Sequence, residues 1–143
     1  MKRFNFLLPV CLFAIAFSFA MNARAGSKAA TTSSAIKSSD FAGKWQGNEQ
    51  CTVVGAPVAI VVITTDGPTQ VYLTGIYSIQ GKVRGVIKGS TVIIPRQVVE
   101  DPNFKNLEIE GSLTLGNSHN TLTGIFAVLN NGSRDGCTVN YRK

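Results

Sequence analysis

The stretch NLEIEGSLTLG shows the pattern that organises the chain. Leu107, Ile109, Leu113 and Leu115 share one parity, and Glu108, Glu110, Ser112 and Thr114 share the other. Successive side chains of a strand point to opposite faces, so the aliphatic set turns to a core and the polar set to water. A helix would put Leu107 and Ile109 well apart around its circumference. Gly111, inside the run, predicts a bulge or a tight bend. From Pro57 onward the alternation recurs, with turn residues roughly every 8–12 positions, the signature of an all-β barrel or sandwich.

The strands predicted in this way cover 58–65, 71–79, 82–87, 91–99, 107–115, 122–129 and 137–142. Val71, Leu73, Tyr77 and Ile79 share one side of their strand; Val83 and Ile87 face inward on the next, with Lys82 and Arg84 outward. Segment 58–65 is apolar on both faces. That suits a central strand, or one whose outer face, near Val61 and Ile63, meets a partner. Pro95 marks an edge or a bulge. Asp66-Gly67-Pro68, Gln80-Gly81, Gly89-Ser90, Asp101-Pro102-Asn103, Gly116-Asn117 and Asn131-Gly132 supply the φ values that tight turns need. With the segment around Trp45, the count is about eight strands. Short links and no crossover segments predict an antiparallel up-and-down meander. So many strands leave exposed edges unless the sheet closes into a barrel or, alternatively, folds into a sandwich.

The N-terminus has a different pattern. Lys2 and Arg3 precede an apolar run, and Ala23-Arg24-Ala25 gives a small-x-small cleavage motif, so residues 1–25 read as a secretory signal peptide. Pro9 and the short run argue against a membrane anchor. Val10 before Cys11 does not suit a lipoprotein site. Residues 26–39 are small, polar and aperiodic and read as a flexible linker, leaving 40–143 as a single β-domain. The product is expected to be exported, periplasmic or secreted, with no membrane span after cleavage. Three of the 14 basic residues and none of the 8 acids fall in the signal, so the mature chain carries 11 against 8. That modest excess does not suggest a nucleic-acid partner.

Cys51 and Cys137 remain after cleavage, near the two ends of the domain. An even pair in an oxidising compartment favours a disulfide over two free thiols or a metal pair. The bond would tie the first strand to the last, which are neighbours in a barrel.

Phe41-Ala42-Gly43-Lys44-Trp45 opens the first strand of this meander. It resembles the G-x-W signature of the lipocalin or calycin superfamily, also met in avidins and fatty-acid-binding proteins. The resemblance implies a closed barrel in which Gly43 permits a tight turn into the sheet and Trp45 plugs one end. An arginine of the last strand would pack across the indole, where a cation–π contact is favourable. Arg142 occupies the matching position, with Arg134 as the weaker choice. The chain lacks the helix that comes after a typical lipocalin barrel and the helical insert of fatty-acid-binding proteins. It has a single tryptophan, so the avidin biotin site does not carry over. A closer likeness is to small exported domains of uncharacterised bacterial proteins. These share a G-x-[WY]-x-G start, a cysteine soon after, an I-x-I-P strand and a final C-x-x-x-Y-x-K. Here they are Gly43 to Gly47, Cys51, Ile93-Ile94-Pro95 in looser form, and Cys137 to Lys143.

Catalytic constellations are absent from the pattern, and no enzyme is expected. His119 lies in a polar turn. Glu108 and Glu110 are spaced like paired glycosidase carboxylates but on a solvated face. No cofactor is expected, because no phosphate loop, dinucleotide glycine run or zinc spacing occurs. Asp66-Gly67 and Asp135-Gly136 read as turn formers. The chain therefore reads as a non-catalytic binding domain, holding a small apolar ligand inside a lipocalin-like barrel. The expected lining is Val71, Leu73, Tyr77, Val83, Ile87, Leu107, Ile109, Leu113, Leu122 and Phe126. The alternative is a protein-interaction or inhibitor module with a filled core. It would meet an extracytoplasmic protein through loops such as 98–105 or through its outer surface.

Overall fold

The computed structural model describes residues 35–143; the expected signal peptide and much of the expected linker lie outside them. A one-turn helix, α1 (Ser38–Phe41), leads into eight strands: β1 (Gly43–Cys51), β2 (Val58–Thr65), β3 (Gln70–Thr74), β4 (Val83–Lys88), β5 (Thr91–Val99), β6 (Leu107–Leu115), β7 (Thr121–Asn130) and β8 (Ser133–Arg142). They form a closed barrel in sequence order, with every neighbouring pair antiparallel and β8 returning to β1. Closure removes the sheet edges that a meander of this length would otherwise expose. Cys51 and Cys137 are register partners across the β1–β8 seam and are disulfide-bonded, so the bond fastens the closure itself.

Alternation sets the core. Buried positions recur at every second residue along β8 (Asp135, Cys137, Val139, Tyr141) and along most of β6 (Leu107, Ile109, Leu113, Leu115). Gly111 brings no bulge of its own; it pairs in register with Phe126 on β7. The irregularity lies opposite, on β5 between Ile94 and Gln97, where Pro95 cannot donate to the ladder. On β2 the expected outer positions are reversed. Val61 and Ile63 are fully buried, and the outward residues are Val58, Ile60 and Val62. The parity of Val61 matches its β1 partner Trp45, which points inward. Asn131 and Gly132 both take positive φ (51° and 82°), giving the two-residue β7–β8 hairpin. Asp135-Gly136 is no turn; both residues lie within β8.

One end of the barrel is closed by the N-terminal segment. Phe41 and Trp45 are fully buried, and the indole N–H donates to the Phe41 carbonyl at 2.7 Å. Gly43 turns the chain into β1 at φ 124°, a region that favours glycine. The cation over the indole is Lys143, with Nζ 5.0 Å from the ring centre, and it also donates to the Asp40 carbonyl at 2.9 Å. Arg142, expected in that place, is exposed on the outer face. It has the parity opposite to Tyr141, whose side chain fills the core.

Candidate functional site

The opposite end is built differently. In this meander the β1–β2, β3–β4, β5–β6 and β7–β8 connections all emerge beside the Cys51–Cys137 seam. The strand expected over 71–79 stops at Thr74, because Gly75 turns the chain at φ 92°. A β-carbon there would collide with the Ile60 carbonyl oxygen. The chain then makes a single 3₁₀ turn, Ile76–Ser78, folded back over the barrel mouth. Ile76 and Ile79 are fully buried beneath it. Tyr77 and Ser78 take φ of 52° and 60°. Left-handed backbone costs a non-glycine residue roughly 1–2 kcal/mol, so the surrounding contacts must hold this turn.

Three carboxylates hold it. Both Glu49 oxygens accept the Tyr77 backbone N–H at 3.0 Å. Asp135 accepts the Tyr77 hydroxyl at 3.0 Å, together with Thr52 Oγ1 and the backbone N–H groups of Val53 and Val54. Asp101 accepts the N–H groups of Gln80 and Gly81 at 2.6 and 3.0 Å. Tyr77 is thus pinned at its backbone by one buried acid and at its ring by another. Glu49 is fully buried and also accepts the Tyr141 hydroxyl at 2.5 Å.

These environments move the protonation equilibria apart. Burial pushes the Glu49 carboxyl above its usual range, only partly opposed by the hydrogen bonds from Tyr141 and the Tyr77 N–H. Burial alone would raise Asp135 too. Its donors (Val53 and Val54 N–H, Thr52 and Tyr77) outweigh that and hold it below the ordinary aspartate range. Tyr77 is pushed up to about 12, first by burial and then by its hydrogen bond to Asp135 and the charges of Asp135 and Glu49. Tyr141 is also raised, by burial and by Glu49.

Around this turn the β1–β2, β3–β4 and β5–β6 connections and the adjoining ends of β7 and β8 line a cavity of about 400 Å³. That lies within the usual range for small-molecule sites, roughly 300–1,000 Å³. Val53, Val54, Pro57, Phe104 and Val128 supply apolar wall, and Tyr77, Asn130 and Asp135 supply polar atoms. The Tyr77 ring packs 6.2 Å from Phe104 and edge-on, at 6.2 Å, to Phe126. A second concavity, about 690 Å³, lies on the outer wall over β5–β8, with Arg96, Glu110 and Arg134 among its rim residues. There Arg134 pairs with Glu110 at 3.0 Å, and Arg96 with the neighbouring Glu108 at 2.6 Å. Glu108 and Glu110 therefore carry outer-face ion pairs. His119, in the turn at the Trp45 end, lies 3.9 Å from Asp40.

The ten expected lining residues are brought together, but mostly into one continuous core. Val71, Leu73, Val83, Leu107, Ile109, Leu113, Leu122 and Phe126 are buried in it, and Tyr77 and Ile87 pack against it half-buried. Of the ten, Tyr77 alone lines the mouth cavity. Sequence reasoning missed Glu49, Asp135, Asn130 and Phe104 as mouth residues. Glu49 has the inward parity of Trp45 and Cys51, and Asp135 that of Cys137 and Tyr141. Two acids on the core face of strands were the available signal.

No family model and no curated protein matches the chain. Solved barrels do. One is the structure of EF1p2_mFAP2b bound to DFHBI, 16% identical over 73% of this chain and 94% of that one, with a TM-score of 0.55. Another is a redesigned beta barrel, b11L5F_LGL, 19% identical over 74% of this chain and 93% of that one, with a TM-score of 0.53. At such identities the likeness carries the fold alone: a closed eight-strand barrel that fits the lipocalin-like architecture. No helix among the described residues is long and apolar enough to cross a membrane.

Proposed function

We propose that this is an exported, non-catalytic domain that binds a small, largely apolar ligand at the Tyr77 mouth rather than deep in the barrel. The observation that carries the reading is the cavity of about 400 Å³ lined by three loops and the adjoining ends of β7 and β8, apolar on its walls and polar at a few fixed atoms. Sites for small ligands have that composition. The strained turn at Tyr77 adds support, since backbone held in sparsely populated conformations gathers at ligand clamps and switches. The ligand-bound state of one similar barrel agrees with the reading. The Cys51–Cys137 bond and the N-terminal export pattern support a periplasmic or secreted setting.

A second reading rests on the outer face of β2. Val58, Ile60 and Val62 stand 67%, 47% and 40% exposed in one stripe, a surface suited to an extracytoplasmic protein partner. Titration with N-phenyl-1-naphthylamine, an apolar dye that brightens out of water, separates the two. Binding at the mouth should be saturable, weakened at least tenfold by Phe104→Ala and unchanged by Ile60→Ser. Loss of dye binding in Ile60→Ser, with Phe104→Ala unaffected, would move the site to the β2 face.

A further inference from the structure

Resting on the mouth reading, we propose that the ligand is an organic cation, an amine or ammonium group on an apolar or aromatic body. Three independent features of the cavity converge on this class.

The first is charge. Asp135 lines the cavity, is only 4% exposed, and is satisfied entirely by neutral donors: Thr52, Val53, Val54 and Tyr77. Glu49 lies behind the same tyrosine, again with neutral donors. Neither acid has a cationic partner within 4.0 Å among the described residues, and no Lys, Arg or His lines the cavity. Cations next in sequence to Asp135, to Phe104 and to the Gln80-Gly81 turn are engaged elsewhere or exposed. Arg134 is held by Glu110 on the outer wall, Lys82 sits over the Tyr72 ring, and Lys105 is exposed outside the lining. A buried negative charge without a counter-charge favours a cationic guest, and the low local dielectric strengthens that preference.

The second is a vacant acceptor. Asn130 lines the cavity, and its Oδ1 is buried with no hydrogen-bond partner among the described residues. Buried polar atoms are rarely left alone, because each such vacancy is destabilising. The four bonds at Asp135 fill its lone-pair positions, so Asn130 is the acceptor free to take a ligand N–H, with Asp135 supplying charge beside it. The third is the pair of rings. Tyr77 and Phe104, 6.2 Å apart and tilted by 44°, line the cavity, and aromatic faces attract cations.

The test is a matched series on the full-length, oxidised protein: 4-phenylbutylamine, 4-phenylbutan-1-ol and 4-phenylbutyrate. Amide shifts of Val53, Val54 and Tyr77 report occupancy of the mouth, and calorimetry gives affinity. The amine is expected to bind at least tenfold tighter than the alcohol, with the carboxylate weakest. Asn130→Ala should weaken the amine several-fold by removing its hydrogen-bond acceptor, while the amine stays tighter than the carboxylate because Asp135 remains. Equal binding of all three, with the mouth amides shifting, would overturn the cation preference and leave the mouth as the site. Absence of shifts at those amides with every probe would overturn both. Asp135→Asn tests the charge directly. If it does not fold, the Asn130→Ala comparison still decides, because an amine bound as tightly by that variant as by the natural chain contradicts the proposed contact.

Discussion

The two ends of this barrel are both shut by an aromatic residue, yet by opposite physics. At one end Trp45 is fully buried, its N–H satisfied by the Phe41 carbonyl, and Phe41 packs beside it. Apolar burial closes that end, and no buried charge is involved. At the other end Tyr77 is half-buried, stands in left-handed backbone and is tethered by Glu49 and Asp135. Hydrophobic plugs are stable and non-directional. A strained turn held by buried carboxylates is stable only while every partner is in place, which makes it the end that can respond to a ligand. Under the proposed function, binding is sought at the Tyr77 end, where the inward-facing acids lie, and the G-x-W-like segment serves as a plug.

That contrast can be attacked at several points, beginning with the seam. In the chain-entropy picture a bond spanning 86 residues is worth about 4.6 kcal/mol. Reduction should lower the melting temperature steeply, and an unchanged midpoint with both thiols shown to be free would mean that the bond is no staple. Next comes the plug. Trp45→Ala should lose about 3–5 kcal/mol in urea unfolding; a near-neutral result would mean that the indole does not close the barrel. Tyr77→Phe removes one donor from a charged acceptor that keeps three others, a loss of about 1.5 kcal/mol. A larger penalty than Trp45→Ala would invert the ranking of the two ends.

The subtlest effect is one of pH. Glu49 has its folded pKa raised, so the native state holds the proton more tightly than the unfolded chain. Its contribution is fullest in acid and is lost as pH rises from the ordinary glutamate range through the raised value. Asp135 acts with the opposite sign. Its folded pKa is depressed, and its contribution is lost as pH falls below the ordinary aspartate range. Stability measured against pH should therefore decline through the Glu49 window, between the ordinary glutamate range and the raised folded value, and Glu49→Gln should flatten that decline. An unaltered profile in the variant would show that the buried acid is not the group responsible.

The strand pattern is legible in the sequence because closure of a meander rests on period-two alternation and turn residues, and both are local. Leu107 to Leu115 and the Asn131-Gly132 hairpin need no tertiary knowledge. The mouth is harder for a physical reason. It is assembled from three connections and two strand ends far apart in sequence, and hydropathy says little about where loops meet. Segment 71–79 alternates like one strand but breaks at Gly75, where approach to the Ile60 carbonyl, a long-range contact, forces the turn. Family likeness points to Arg142 over the indole, yet parity turns it outward and hands the place to Lys143. Alternation, pressed further, would have exposed Glu49 and Asp135 as acids on the core face.

The most direct measurement is site-resolved amide hydrogen exchange with and without N-phenyl-1-naphthylamine. If the Tyr77 mouth is the responsive end, the Tyr77, Val53 and Val54 amides should exchange through low-energy local opening and slow when the probe is added. Amides around Trp45 should exchange only with global unfolding and ignore the probe. Protection gained at the Trp45 end, with the Tyr77 mouth unmoved, would contradict the assignment of the two ends.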